Sequence, residues 1–509
     1  MINFLKYATI LLFIVSCSPV RNQSQSGAVS GEQHRPLFHF TPQEKWMNDP
    51  NGMVYHNGTY HLFYQYYPGG TKWGPMHWGH ATSSDLVHWE HRPVALYPDS
   101  LGYIFSGSAV VDEANTSGFG RAGQVPLVAI FTHHDTTGIS AGRKDYQVQS
   151  LAYSLDEGKT WTKYAGNPVL KNPGIVDFRD PKVMWYEPQK KWVMTLAVKD
   201  RIAFYSSPDL KNWTKESEFG EKLGAHGGVW ECPDLFTLEQ GGKQHWVLIV
   251  NLNPGGPNGG SATQYFVGDF DGKAFTANHT DTRWLDWGPD EYAGITWANT
   301  GERRIFLGWM SNWLYGEVVP TERWRSAMTI PRDLGLKQVG EQWYVTSRPS
   351  PELEKIEADT VSLRDVNVTQ SLNLSGQVKN LSIPGRLDLI LDKAASFSVV
   401  LSNDAGEQVV VGFDQGGNQY YIDRTKSGKV DFHKEFARRH MAPRIATSDG
   451  MDLTLVIDVS SVELFADEGL SVMTSIFFPN QLFNQVRLES ANGVVIKRLD
   501  YNRLKPAIK

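Results

Sequence analysis

DPNGMVYHNGTYHLFYQY, residues 49–66, carries the plan on which most of this chain is built. An aspartate beside a proline opens it, an apolar strand follows, a polar turn reverses the chain, and a second apolar strand runs back. The plan recurs in DPKVMWYEPQKKWVMTLAV at 180–198 and PDLFTLEQGGKQHWVLIVN at 233–251. It recurs without the acid in SGSAVVDEANTSGFGRAGQVPLVAIFTHH at 106–134 and YAGITWANTGERRIFLGWM at 292–310, which makes five units. A second element lies between the units. SSDLVHW at 83–89, SLDEGKTW at 154–161 and SSPDLKNW at 206–213 each place Ser and Asp a few residues before a Trp, as a turn leading into an outer strand requires. DFDGKAF at 269–275 is a degenerate fourth copy.

Repeats of about 50 to 75 residues with about four short strands each are the pattern of a β-propeller, whose blades stack radially and leave only short edges exposed. Five units predict five blades. The first strand of each blade lines the central channel, so the starts of units remote in sequence are expected to share one mouth. Past SRPS at 347–350 a short helix is expected and the pattern changes. SFSVVLSN, EQVVVGFDQ, QYYIDRT, MDLTLVIDVSSVELFAD and SVMTSIFFP alternate apolar and polar residues with turns every eight to twelve residues or so, which predicts a β-sandwich. The expected fold is therefore all-β, a five-bladed β-propeller at 35–348 followed by a C-terminal β-sandwich at 349–509.

At 509 residues the chain is long enough for two domains with substantial cores, and a net charge of -6 gives no reason to expect a nucleic-acid partner. The 17 Trp suit both large β cores and the apolar faces of sugar rings. Lys6 precedes a short apolar run at 8–15, and Ile14-Val15-Ser16-Cys17 matches a bacterial lipoprotein cleavage box. The run is about half the roughly twenty residues a membrane span needs. Residues 1–16 thus read as a lipoprotein signal peptide, Cys17 as the lipidated residue and 17–34, rich in Ser, Gln and Gly, as a flexible tether. With Cys17 lipidated, Cys232 is the only thiol left and no intramolecular disulfide forms. The expected location is that of an exported lipoprotein whose sole membrane association is its lipid anchor. The stretch SPVRNQSQSG after Cys17 has no acidic cluster, which favours a periplasm-facing position over the cell surface.

Three of the unit starts carry acids: WMNDPNG at 46–52, FRDP at 178–181 and ECPD at 231–234. Taken singly, an Asp-Pro pair reads as a turn whose carboxylate caps its own backbone. Together Asp49, Asp180 and Glu231 supply what cleavage of a glycosidic bond needs: two carboxylates flanking the bond and a third to steady an oxocarbenium-like cation. These motifs, with FYQYYP at 63–68, KWGPMHWGHATSSDLVHW at 72–89, FSGS at 105–108 and QSLAYSLDEGKTW at 149–161, resemble glycoside hydrolase family 32, the retaining fructosidases that include invertases, levanases and inulinases. The likeness runs from about 39 to about 349 and more weakly to the end.

The resemblance implies a five-bladed catalytic propeller with a sandwich module, and a fructan or sucrose substrate. It makes Asp49 the nucleophile, Glu231 the acid/base, and Asp180 the stabiliser of the transition state, with Arg179 beside Asp180 keeping it ionised. By matching strings it implies sugar-binding roles for Asn48, Gln65, Trp73, Phe105, Ser106 and Arg179, and also for Cys232, Asp286 and Trp313, with Trp73 and Phe105 as apolar walls. Glu291 and Asp234 are the acids to consider if Glu231 is not the proton donor. His77, His80, His133 and His134 have no acidic or Cys partner in a familiar zinc arrangement, so no metal and no cofactor is expected. A monomer is expected.

Two other classes remain open at this point. A non-catalytic glycan-binding lipoprotein on the same scaffold is disfavoured by the presence of all three acids. An inverting five-bladed hydrolase of arabinose or xylose polymers lacks WMNDPNG and the flanking FSGS. Release of terminal fructose is expected from a funnel closed at its base, with endo cleavage as the alternative. The stretches 132–146 and 252–262 are expected to shape the rim.

Overall fold

Five antiparallel sheets succeed one another along the chain in the computed structural model, which describes residues 32–121, 123–376 and 383–507. Their inner strands are Lys45–His56, Tyr103–Val111, Phe178–Tyr186, Val229–Gln240 and Tyr292–Thr296, and we number the blades 1 to 5 in that order. Each inner strand lies against that of the next blade, and the fifth lies against the first, which closes the ring. A short parallel pairing of Lys45 and Trp46 with Trp324 and Arg325 fastens the closure.

Each pair of neighbouring blades shares an apolar cluster, because a blade buried on both faces reads as a nearly continuous hydrophobic run. Val54, Phe63 and Trp78 of blade 1 meet Ile104, Ala129 and Phe131 of blade 2. Val128 and Ile130 meet Val183 and Met194 of blade 3. Phe204 and Ala197 meet Trp230 and Leu248 of blade 4, Val247 and Tyr265 meet Phe306 and Leu336 of blade 5, and Leu307 and Trp309 meet Met47 and Leu62 of blade 1.

The recurring Asp-to-Trp element is one turn repeated. Asp85 accepts from the amides of Val87 and His88, Asp156 from that of Thr160, Asp209 from those of Lys211 and Asn212, and Asp271 from those of Lys273 and Ala274. In the three full copies the Trp indole donates back to a carbonyl three residues earlier: Trp89 to Leu86, Trp161 to Gly158 and Trp213 to Leu210. Leu86 and Leu210 hold left-handed φ of 65° there, a strain the capped turn sustains.

A 3₁₀ turn at Pro351–Ile356 leads into two six-stranded sheets packed face to face over a core that includes Leu389, Val399, Val411, Leu455, Leu464 and Leu488. The sandwich strand Ser471–Ile476 docks on the segment that enters blade 5, where Trp287 and Asp290 donate their amides to Val472 and Thr474.

Residues 1–31, with the expected signal, Cys17 and most of the tether, lie outside the described residues. His34, expected as the tether's last residue, instead belongs to the folded body: its ring nitrogen is 2.9 Å from the carbonyl of Pro479 and its carbonyl accepts from Ser460. Among the described residues no helix is long and apolar enough to cross a membrane.

Candidate active site

The same irregularity opens all five inner strands. Between Met47 and Pro50 the inner strand advances three residues while its partner advances two, and the same happens at Ile104 to Gly107, Arg179 to Lys182, Glu231 to Asp234 and Tyr292 to Ile295. Each is a β-bulge, and a bulge breaks the ladder and re-aims side chains. Prolines mark its position in three of the five blades. Pro50, Pro181 and Pro233 have no N–H to give a ladder, so a strand accepts them where pairing is already interrupted. The turn expected at WMNDPNG is therefore a bulge inside a continuous strand, Lys45–His56. A second bulge follows at Gly52, whose φ of 57° and closeness to Trp78 leave no room for a Cβ.

The bulges gather the acids. Asp49 Oδ2 accepts from Ser106 Oγ at 2.7 Å, and Oδ1 from Asn48 Nδ2 at 2.9 Å; Asn48 is itself held by the Trp46 indole at 2.7 Å. Cys232 joins two blades: its amide donates to Asp180 Oδ2 at 3.1 Å, and its sulfur lies 3.6 Å from Asp49 Oδ2 and 3.7 Å from Asp180 Oδ2. Asp180 and Cys232 both take left-handed φ, 61° and 41°, the backbone strain that a bulge stores. Glu231, next in the chain to Cys232, accepts from Arg179 at 2.9 Å on Oε1 and from the Tyr292 hydroxyl on Oε2.

The cluster is acid-rich and largely buried, with the Glu231 side chain 20% exposed. Burial, then the charge of Glu231, raises the pKa of Asp49, against the hydrogen bonds of Ser106 and Asn48, which lower it. Burial likewise raises Asp180; Arg179 opposes the rise, while Glu231 and Asp49 add to it. The guanidinium expected to hold Asp180 ionised stands 3.9 Å from it and opposes the rise, while it bonds Glu231 and Asp177, the latter at 2.5 Å. Burial and the neighbouring carboxylates hold Cys232 as a thiol and Tyr292 as a phenol, so both present protons to the acids.

Around this floor stand the expected walls. Trp73, 39% exposed, meets Phe105 edge-on with ring centroids 6.1 Å apart, and Phe105 stacks on His134 at 4.0 Å. Trp313 packs against Trp46 and Trp309. Gln65 is buried with its Nε2 lacking any hydrogen-bond partner among the described residues, as a group awaiting a ligand oxygen would be. The stretch 252–262 is tied to the sandwich by Asn258, which donates to the carbonyls of Trp287 and Met441. The stretch 132–146 forms a short helix, Thr136–Ser140, capped by Asp135.

Asp286 is a correction. Its side chain is fully buried behind blade 5, where it accepts from Arg332 at 2.9 Å and from the amide and hydroxyl of Thr474, so no oxygen is left for a sugar. Asp234 is likewise committed, to Lys182 at 3.2 Å and to Thr296, and Glu291 packs against Gly294 and Gly308. The histidines are spent locally: His77 on the Pro75 carbonyl, His80 on His61 and Phe63, His133 on Ser150, and His134 on Phe105. Tyr292, Asp177 and Thr132, whose hydroxyl accepts the Asp180 amide at 3.1 Å, were not anticipated. Superposing the five units on their bulges puts Tyr292 in register with Glu231 and Arg179, a signal the sequence carried.

A five-bladed propeller with a sandwich behind it and three acids at one mouth fits a glycoside hydrolase. The chain belongs to glycosyl hydrolase family 32: the family's N-terminal domain model matches 39–348 and its C-terminal model 352–503. It is 48% identical to a levanase of Bacillus subtilis (strain 168) over 93% of this chain and 71% of that protein. It is 43% identical to an extracellular exo-inulinase of Aspergillus niger over 91% of this chain and 93% of that one. Among solved structures it resembles exo-inulinase from Aspergillus awamori, with a TM-score of 0.86, 39% identity, and 94% of this chain and 99% of that chain covered.

Proposed function

We propose that this enzyme is a retaining β-fructosidase that removes terminal β-D-fructofuranosyl residues from fructans of the levan or inulin kind and from sucrose. The observation that carries the reading is the convergence on Cys232, where Asp49 and Asp180 approach one sulfur from two blades while Glu231 precedes it in the chain. Asp49 attacks the anomeric carbon and forms a fructosyl ester. Glu231 gives its proton to the leaving oxygen and then takes one from the water that frees fructose. Asp180 faces the ring hydroxyls and the developing cation, and Asn48, Gln65, Trp73, Phe105, Ser106, Arg179, Cys232 and Trp313 line the sugar. Asp49 has to be ionised to attack, so the acid limb of kcat/KM belongs above the ordinary Asp range.

Exo action is the reading we favour. Lys182 of blade 3 reaches Asp234 of blade 4 at 3.2 Å and the Thr296 carbonyl of blade 5 at 2.5 Å, which ties three inner strands together and supports a funnel with a closed base. The relatives named levanase and exo-inulinase support a fructan substrate. We also propose the four-part layout read from the sequence: a signal at 1–16, a tether from lipidated Cys17, a propeller to 348 and a sandwich beyond. The enzyme then works as a monomer facing the periplasm. Chromatography of the earliest products from levan, inulin and sucrose tests the central reading. Fructose alone is expected; a ladder of oligomers establishes endo cleavage instead. Palmitate labelling that survives in a Cys17→Ala chain removes the anchor.

A further inference from the structure

We propose that a girdle of buried side-chain donors, each on the second or third strand of its own blade and each reaching into the next blade, sets the spacing of the three acids. A bulge leaves backbone groups without ladder partners, and a buried carbonyl has to find a donor. At four of the five blade junctions that donor is a side chain of the preceding blade. Trp309 of blade 5 donates its indole N–H to the Met47 carbonyl at 3.1 Å, two residues before Asp49. Trp78 of blade 1 donates to Phe105 at 3.0 Å, one residue before Ser106. Gln149 of blade 2 donates to Phe178 at 2.9 Å, two residues before Asp180, and also accepts at 2.7 Å from Thr132, whose oxygen receives the Asp180 amide. Asn251 of blade 4 both donates to and accepts from Gly294 in blade 5, and donates at 2.9 Å to the carbonyl of Cys232. The remaining junction is closed by backbone, Trp230 N–H to Lys199.

The four donors are 0 or 1% exposed. The apolar clusters between blades hold the blades together but have no direction, whereas a hydrogen bond fixes both distance and angle. Covalent attack and proton transfer across one sugar depend on the separation of groups borne on different blades, so these bonds convert blade packing into acid spacing. They act through Asp49, Ser106, Asp180 and Cys232 and touch no substrate, which makes Trp78, Trp309, Gln149, Thr132 and Asn251 positioning residues.

The structure provides a matched control. Trp297 of blade 5 is 2% exposed and donates to the His61 carbonyl of blade 1 at 2.9 Å, a bond of the same kind whose acceptor lies on the second strand of blade 1 opposite Val54 rather than beside an acid. Trp78→Phe, Trp309→Phe and Trp297→Phe are compared in the full chain by kcat and KM on sucrose and levan, well below their melting temperatures. The first two are expected to lose about 10- to 100-fold in kcat with little change in KM. All three variants are expected to melt lower by similar amounts, and Trp297→Phe to keep its kcat. Should a tryptophan variant fail to fold, Thr132→Val and Thr132→Ser decide: Ser keeps the hydroxyl and is expected to keep kcat, while Val is expected to lose it. Wild-type kcat in Trp78→Phe and Trp309→Phe overturns the girdle, and so does equal loss in Trp297→Phe or in both Thr132 variants. The proposal rests on the roles given to the acids, so Asp49→Ala is assayed alongside. An active Asp49→Ala chain sinks those roles, whereas an inactive one beside fully active girdle variants sinks the girdle alone.

Discussion

Two buried acid clusters lie on either side of blade 5, and they are made of the same residue types. At the mouth, Asp180 and Glu231 share one guanidinium, Arg179, which also serves Asp177, and Asp49 has only the neutral donors Ser106 and Asn48. At the seam with the sandwich, Arg332 holds Asp286 at 2.9 Å and Glu463 at 2.5 Å, His39 bridges Asp458 and Glu463 at 2.8 Å each, and Arg424 holds Asp290 at 2.5 Å. Burial alone would lower the pKa of His39, but the hydrogen bonds to Asp458 and Glu463 reverse this and raise it to about 9. Every seam pair is closed to solvent, whereas Trp73 stands 39% exposed beside the mouth and Gln65 keeps an unused donor there. An acid cluster becomes reactive when its charges are under-compensated and its polar atoms face an opening. Sealed, and paired with Arg332, Arg424 and His39, the same chemistry is mortar.

The sharpest break between the regions is in activity. Asp49→Ala and Glu231→Ala are expected to lower turnover on the order of 10⁴-fold or more, and Asp180→Ala nearly as much, with the fold retained on circular dichroism. Asp286→Ala, on the other side of the same blade, is expected to leave turnover per folded molecule within a small factor at low temperature. Stability reverses the ranking. Arg332→Ala strands two carboxylates in a sealed site and is expected to cost about 3 to 5 kcal/mol in denaturant unfolding. Asp49→Asn removes a desolvated charge and is expected to stabilise by about 1 kcal/mol at neutral pH.

pH separates the two clusters further. Below about 6.5, the ordinary value for His, the proton on His39 is held in both folded and unfolded chains and the seam's ion pairs contribute in full. Between about 6.5 and 9 only the folded chain retains it, so about 3 kcal/mol of stability drains away as pH rises, a slope that His39→Gln should flatten in urea titrations. At the mouth the signature is catalytic. The Ser106 hydrogen bond lowers the Asp49 pKa, so Ser106→Ala is expected to move the acid limb of kcat/KM to higher pH, the smallest effect of this set.

The mouth was more legible in the sequence than the seam, and the reason is locality. The propeller could be read because each unit carries its own alternation and its own capped turn, as at Asp85 and Asp209, and the acids stood at unit starts. The bulges were hidden because an Asp-Pro pair looks the same in a turn and in a strand whose ladder skips one residue. Tyr292 was hidden in a unit without an acid; only its register with Glu231 marks it. Asp286 was misread because its partners are remote: Arg332 follows 46 residues later and Thr474 follows 188 later, and nothing near Asp286 announces either. The left-handed Asp180 and Cys232 were likewise invisible, since such strain appears only once a neighbouring blade enforces it.

The most direct test of the account is to trap the intermediate. Glu231→Ala, given a fructosyl donor whose leaving group needs no proton, is expected to load one fructosyl unit on the peptide containing Asp49, seen by mass spectrometry after rapid acid quench and digestion. A label on another carboxylate, or an inverted anomer in the first product seen by proton NMR with no label at all, contradicts it.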